Sequence, residues 1–284
     1  MKKLLIIGAS GFLGKQLMKD ASKEYEVIGT YNSKQQDDLL HLDITNEIEV
    51  KDFLGKIKPN ITILASALTD LKLCETNPEL CKKLNIIGVD NVAKYTNNFI
   101  VFLSTDYVFD GEKGNYLETD KTNPINGYGK SKLEGERIIS RLKKHLIIRS
   151  SSLYTSDINN PKFINMMIDK LRKNENVKVV GDIIASPTLI NDLSRAILTL
   201  IQKEKTGLYH AVGDTQTSLY NSVLTIAEVF NFNKSLITSC SINDFPSPLK
   251  RPKNTSLNID KLTSEGIKMH SLKEGLKLII KNQQ

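Results

Sequence analysis

An apolar run, Leu4-Leu5-Ile6-Ile7, passes without a linker into Gly8-Ala9-Ser10-Gly11-Phe12-Leu13-Gly14, and an amphipathic stretch over 12–22 follows. Few folds place three glycines at this spacing between a buried strand and a helix. The first glycine permits a tight turn, the second lets the backbone approach a ligand, and the third lets the helix pack on the strand. The first turn of such a helix presents backbone N–H groups and the positive end of its dipole, and together they hold phosphate. The opening therefore predicts a strand–turn–helix unit that binds a dinucleotide through its pyrophosphate.

The alternation continues downstream. Residues 4–7, 27–30, 61–65, 100–103 and 146–148 read as strands buried on both faces. Residues 12–22, 48–56, 78–96 and 128–143 read as helices between them, and Asp43-Ile44-Thr45-Asn46 supplies N-cap candidates for the second. Repeated strand–helix–strand order predicts an α/β chain, a Rossmann-type doubly wound parallel sheet with a smaller C-terminal substrate-binding lobe. The expected division is a dinucleotide-binding domain over 1–149 and the lobe over 150–284, with about 189–203 returning to the first domain. Within the lobe, helices are expected near 161–174, 191–202, 219–230 and 271–281, a strand at 177–180, and a Pro-rich turn at 245–252.

Composition narrows the function classes. The chain has 284 residues, 40% hydrophobic and 25% charged, which suits a globular fold with a substantial core. No apolar run approaches the roughly 18–20 residues that span a bilayer. Met1-Lys2-Lys3 before the first apolar run imitates a signal peptide, but that run is too short and ends in the glycine turn. It reads as the first strand of a cytoplasmic protein. The net charge of +7 is spread as single and paired lysines without interleaved aromatics, so a nucleic-acid surface is the weaker reading. Cys74, Cys81 and Cys240 show no metal-type pairing, and no metal site is expected. Cys74 and Cys81 can share a helix face, where packing is their expected role.

Two further motifs carry chemistry. Tyr128-Gly129-Lys130-Ser131-Lys132 opens a helix and places Tyr128 and Lys132 on one face, one turn apart. A tyrosine near pKa 10 is a sluggish proton donor at neutral pH, and a neighbouring ammonium that stabilises the phenolate suits it to acid–base work. Ser104-Thr105-Asp106 follows the run 100–103, at the carboxyl end of a central strand where ligands of open α/β sheets collect. Thr105 there can donate to an oxygen that becomes negative. For the cofactor, Gly8, Ser10, Gly11, Phe12, Leu13 and Gly14 form the expected pyrophosphate loop. The second strand ends in Asn32-Ser33-Lys34 without the carboxylate that selects a free ribose 2′-hydroxyl, so NADP(H) is preferred and NAD(H) possible. Asp43, at the adenine, with Ile44, Ala65, Ser66 and Ala67 completes the expected lining, although Asp43 suits helix capping as well.

The order of glycine loop, Ser-Thr-Asp and Tyr-x-x-x-Lys resembles the extended short-chain dehydrogenase/reductases. More narrowly, Ser104-Thr105-Asp106-Tyr107-Val108-Phe109-Asp110-Gly111, Glu118-Thr119-Asp120, Asn123-Pro124-Ile125-Asn126-Gly127-Tyr128-Gly129 and Lys132-Leu133-Glu134-Gly135-Glu136 resemble the dTDP-4-dehydrorhamnose reductase family. Ser186-Pro187-Thr188 and Arg251-Pro252 match its later motifs in place and order. The resemblance implies reduction of a 4-keto nucleotide-sugar in dTDP-L-rhamnose biosynthesis. It implies Thr105, Tyr128 and Lys132 as the catalytic set, with Ser104, Asp106, Thr188 and Arg251 toward the substrate; a homodimer is compatible. The chain departs from the family at Leu71-Lys72, Ser152 and Ile183, where Val-Asp, an aromatic and Gln are usual. These positions bear on which sugar is recognised. A dehydratase is disfavoured, because Tyr107 stands after Asp106 where those enzymes carry an acid pair. A nucleotide-sugar epimerase, and a non-catalytic subunit similar to the methionine adenosyltransferase β subunit, remain as alternatives.

Overall fold

A computed structural model describes residues 1–33, 35–157, 160–244 and 249–281. Lys34 and residues 245–248, half of the Pro-rich turn expected at 245–252, thus lie outside the described residues. The chain divides into two compact units. Unit 1 comprises Met1–Val108, Thr122–Arg149 and Ile197–Tyr209; unit 2 comprises Phe109–Lys121, Ser150–Ala196 and His210–Gln284. The sequence places the return to the first unit at about 189–203, but the segment that returns is Ile197–Tyr209. The reason is the strand Gly207–His210, which completes one edge of the main sheet.

The first unit is built on strands β1 (Lys3–Ile7), β2 (Glu26–Tyr31), β3 (Leu40–His41), β4 (Ile61–Leu64), β5 (Phe99–Thr105) and β6 (His145–Ser150). With Gly207–His210 they form one seven-stranded sheet, whose order is Gly207–His210, β6, β5, β4, β1, β2, β3. β1 pairs in parallel with both β2 and β4, β2 with β3, and β4 with β5. Strand order therefore reverses at β1, the switch point where an open sheet binds its ligand outside the carboxyl ends of the strands. β1 and β4 are almost wholly buried, but the first three residues of β2 are only partly covered. The expectation of burial on both faces fails there because only the two-residue β3 lies beyond it.

The helices are α1 (Phe12–Ala21), α2 (Glu47–Ile57), α3 (Leu71–Thr76), α4 (Pro78–Lys82), α5 (Gly88–Tyr95) and α6 (Gly127–Ile139). Val50 and Leu54 of α2, Val89, Val92 and Ala93 of α5, and Ile138 and Ile139 of α6 pack with Leu5, Ile7, Leu64, Ile100, Phe102 and Ile147 of the sheet. Asn46, among the expected cap candidates, is the N-cap of α2 and accepts from the Glu49 N–H. The single helix expected over 78–96 is interrupted by a π turn, Lys83–Ile87, and α3 precedes it as a separate helix. Cys74 and Cys81 consequently lie on two helices, not one face. Pro78 opens α4, and the two buried thiols meet across the break with their Sγ atoms 2.9 Å apart.

Unit 2 has its own core. Ile164, Met167, Ile168 and Leu171 of the helix Phe163–Arg172 and Val223, Ile226 and Ala227 of Leu219–Phe230 pack with Leu272, Leu276 and Ile279 of Leu272–Lys281. The short parallel pair Val177–Val180 and Ile237–Cys240 joins the same cluster through Val177, Val179 and Ile237.

Candidate active site

The glycine loop lies at the carboxyl end of β1. Gly8 has φ +89°, a left-handed conformation that glycine adopts without strain, and its N–H reaches the Thr30 hydroxyl of β2 at 3.3 Å. A Cβ at Gly14 would sit 2.2 Å from the Gly8 carbonyl oxygen and 2.7 Å from Ala9 Cα, so the third glycine is required by backbone contact. A Cβ at Gly11 would meet a single atom within 4 Å, the Gly8 oxygen at 3.2 Å. Gly11 is also the N-cap of α1 and supplies no side-chain cap.

Beside the loop lies a cavity of about 300 Å³ lined by Gly8, Ser10, Gly11, Asn32, Ser33, Ile44, Ala65, Ser66 and Ala67. Nine of the expected cofactor residues therefore share one wall. Ile7, Thr30, Tyr31, Leu42, Leu68 and Leu84 complete it and were missed from sequence. Most follow from one rule, that residues at the carboxyl ends of neighbouring strands converge, but Leu84 gives no such signal because it sits on the unforeseen π turn. Leu13 and Gly14 are buried inside α1, and neither they nor Phe12 line the cavity. Asp43 does not line it either; its Oδ1 accepts from the Thr45 N–H and hydroxyl, closing the turn before α2. The cavity suits a dinucleotide: the loop backbone is left open at Gly11, where a Cβ would meet one protein atom within 4 Å, and the buried Ser66 hydroxyl has no partner among the described residues. Among the described residues no carboxylate lines the cavity at the end of β2, where Asn32 and Ser33 stand.

These contacts separate binding from folding. Gly14→Ala is expected to lower the thermal midpoint, since overpacking of this kind costs about 1–3 kcal/mol, and to weaken dinucleotide binding. Gly11→Leu is expected to abolish binding with a near wild-type midpoint. Fluorescence titration and thermal melts on the two variants check both.

The acid–base residues lie on α6 and β5. Asn126 caps α6 by accepting from the Gly129 N–H at 2.8 Å, and Glu75 of α3 accepts from the Gly127 N–H at 2.6 Å. The helix entry that carries Tyr128 is thus tied from both sides. The Tyr128 ring meets Tyr107 edge-on with centroids 6.0 Å apart, and its hydroxyl hydrogen-bonds Thr105. Thr105 Oγ1 also donates to the Asp106 carboxylate at 3.0 Å. Burial pushes the Tyr128 hydroxyl well above its ordinary value; the Thr105 hydrogen bond works against this, and Asp106 adds to it. Tyr128 is therefore held as a phenol, the protonation state of a proton donor.

Lys132 is 2% exposed, with its Nζ 4.0 Å from the centroid of the Phe102 ring. Burial pulls its ammonium down from 10.5 to about 7, opposed first by the charge of Glu136. Behind both residues, Asn85 of the π turn accepts from the Leu68 N–H and donates to the Leu68 carbonyl oxygen and to the Ser131 hydroxyl. One buried amide thus joins the loop after β4 to α6, and the extra residue of the π turn accounts for its inward placement.

Of the residues expected toward the substrate, Ser104 is turned inward, because its hydroxyl donates to Glu136. Asp106 is buried beside Thr105. In unit 2, Thr188 is fully buried, donating to the Ser186 carbonyl oxygen at 2.9 Å and accepting from the Gly213 N–H at 3.0 Å, so its hydroxyl serves the turn. Arg251 is exposed. Ser152, at the position of the family's usual aromatic, is exposed with φ +43°.

All 284 residues match the model of the RmlD substrate binding domain. The chain is 34% identical over 280 residues to the dTDP-4-dehydrorhamnose reductase of Aggregatibacter actinomycetemcomitans, covering 92% of each. The solved structure of the Bacillus anthracis dTDP-4-dehydrorhamnose reductase in complex with NADP superposes with a TM-score of 0.89 at 32% identity, over 99% of this chain and 100% of that one. The methionine adenosyltransferase 2 subunit beta of Xenopus tropicalis is 29% identical, over 94% of this chain and 83% of its own length. Matched from end to end, the chain belongs to the RmlD substrate binding domain family.

Proposed function

We propose that this protein is an NADPH-dependent reductase of a 4-keto nucleotide-sugar, dTDP-4-dehydrorhamnose. The observation that carries the reading is that Thr105, Tyr128 and Lys132, though none of them lines the dinucleotide cavity, stand in the same unit as it, and that no carboxylate is among its described lining residues. NADPH, when bound, supplies the hydride. The chain's own groups do the rest. Gly8, Ser10 and Gly11 take the pyrophosphate, Asn32 and Ser33 take the 2′-phosphate, and Ser66 Oγ gains the partner it lacks. Tyr128 gives its phenolic proton to the emerging alkoxide. Thr105 donates a hydrogen bond to the same oxygen. Lys132, as the ammonium, stabilises the phenolate left behind and holds the nicotinamide ribose. Thr105 has one hydroxyl proton, so its bond to the alkoxide replaces the bond it donates to the Asp106 carboxylate.

On the substrate side we propose Arg251 for the sugar-nucleotide diphosphate, since a guanidinium binds phosphate oxygens in pairs. Arg251→Ala is expected to raise KM by about tenfold or more with kcat little changed, the loss of one charge-assisted contact. An unchanged KM would remove Arg251 from the site. The chain is proposed to act as a soluble enzyme in the cytoplasm and to form a homodimer; among the described residues no helix is long and apolar enough to cross a membrane. The reading as a whole is tested by following NADPH absorbance with dTDP-4-dehydrorhamnose. Rapid oxidation, faster with NADPH than with NADH, supports it. No oxidation, with tight binding to a methionine adenosyltransferase catalytic chain, would favour the alternative of a non-catalytic subunit.

A further inference from the structure

α6 carries Tyr128, Lys132 and Glu136 at intervals of four residues, so the three share one helix face. Glu136 has no part in the chemistry above, yet it is 6% exposed and held from two strands. Arg149 of β6 donates from Nε to Oε1 at 2.9 Å and from Nη2 to Oε2 at 2.7 Å, and Ser104 of β5 donates to Oε1. Three donors leave the carboxylate one orientation. Stability alone does not call for such a clamp, because apolar side chains of similar volume in place of a buried ion pair are often neutral or stabilising.

The neighbour with an unmet need is Lys132. Its Nζ rests on the Phe102 ring and, among the described residues, makes no hydrogen bond or ion pair. The titratable groups that favour its charge are Glu136, on its own helix, and Cys81 from α4. Arg149, from β6, is bound to the same carboxylate. Asp106 after β5, Cys74 of α3 and Tyr107 act on Tyr128. We propose that Glu136, fixed by Arg149 and Ser104 on the helix face it shares with Lys132, is a positioning residue whose charge keeps Lys132 an ammonium at neutral pH. The proposal rests on the roles assigned to Lys132 and Tyr128 above.

Lysine labelled with ¹³C at Cε reads the charge directly, without substrate. A lysine that titrates near 7 stands apart from surface lysines near 10.4, and Lys132→Met identifies it by its disappearance. Glu136→Gln is expected to move that midpoint down by about one unit. The alkaline limb of kcat/KM should move down with it, so that activity falls most above neutrality. Because Glu136→Gln leaves Arg149 underpaired in the interior, the double variant Glu136→Met with Arg149→Met provides a control that removes both charges and keeps the packing. It is expected to fold stably and to show the same downward move. A midpoint that stays put or rises in both variants overturns the proposal. Failure of the underlying reading looks different: Lys132→Met would then keep wild-type turnover, whatever Glu136 does.

Discussion

Tyr128→Phe is expected to cut turnover by about 10²–10⁴-fold, the usual contribution of a positioned proton donor, while NADPH binding survives. The variant removes one oxygen and leaves the ring against Tyr107, so the N-terminal turn of α6 keeps its packing and its Asn126 cap. The loss should fall in kcat, because the proton is given up only as the alkoxide forms. Raising the pH should not restore the variant, whereas in the wild type activity should decline on the alkaline side as Lys132 loses its charge. Wild-type turnover in Tyr128→Phe on a confirmed substrate would remove Tyr128 from the chemistry.

Lys132→Met should lose turnover and gain stability together. In the folded chain the ammonium is buried on Phe102 without an ion pair among the described residues, and burial lowers it from 10.5 to about 7. Methionine fills a similar volume without a charge to desolvate. The sign follows from proton binding. At and below pH 7 the folded chain carries the full cost of the buried charge. Between about 7 and 10.5 the unfolded chain keeps a proton that the folded chain has released, so wild-type stability rises with pH through that window. Lys132→Met lacks this rise. Its thermal midpoint should exceed wild type most at pH 7 and below, by about 2–4 °C for each kcal/mol recovered, and the gap should narrow toward pH 9–10. NADPH affinity should fall, since the ribose contact is lost. A midpoint below wild type at pH 7 would show that the lysine is better accommodated than its burial implies.

The parts of the site that depend on one stretch of chain were legible in the sequence. Gly8–Gly14 after a buried run, and Tyr128 with Lys132 on one helix turn, are local patterns whose geometry the backbone enforces. Strand existence was legible for the same reason, since runs such as 100–103 lie in buried strands. What escaped depends on partners distant in sequence. Ser104 stands at a strand end where the resemblance turns it toward the substrate, but its hydroxyl donates to Glu136, 32 residues on. Thr188 reads as a ligand in a Ser-Pro-Thr motif, but the Gly213 N–H occupies its oxygen. The π turn at Lys83–Ile87 has no periodic signature, because a single added residue barely disturbs the apolar stripe. It nonetheless places Asn85 between the loop after β4 and α6. The division into units shows the same dependence: one break falls between Arg149 and Ser150, where the sequence places it, but Phe109–Lys121 belongs to unit 2, although it stands between β5 and α6 of unit 1.

The central claim is that this chain directs a hydride to the C4 carbonyl of a sugar nucleotide and a proton to its oxygen. NADPH dideuterated at the nicotinamide C4, incubated with dTDP-4-dehydrorhamnose and the wild-type protein, tests it most directly, with the sugar product read by NMR and mass spectrometry. The account predicts one deuterium per product molecule, bonded to sugar C4, and one NADPH consumed for each. A product with no deuterium at C4, or sugar recovered unreduced while the protein binds NADPH, would contradict it.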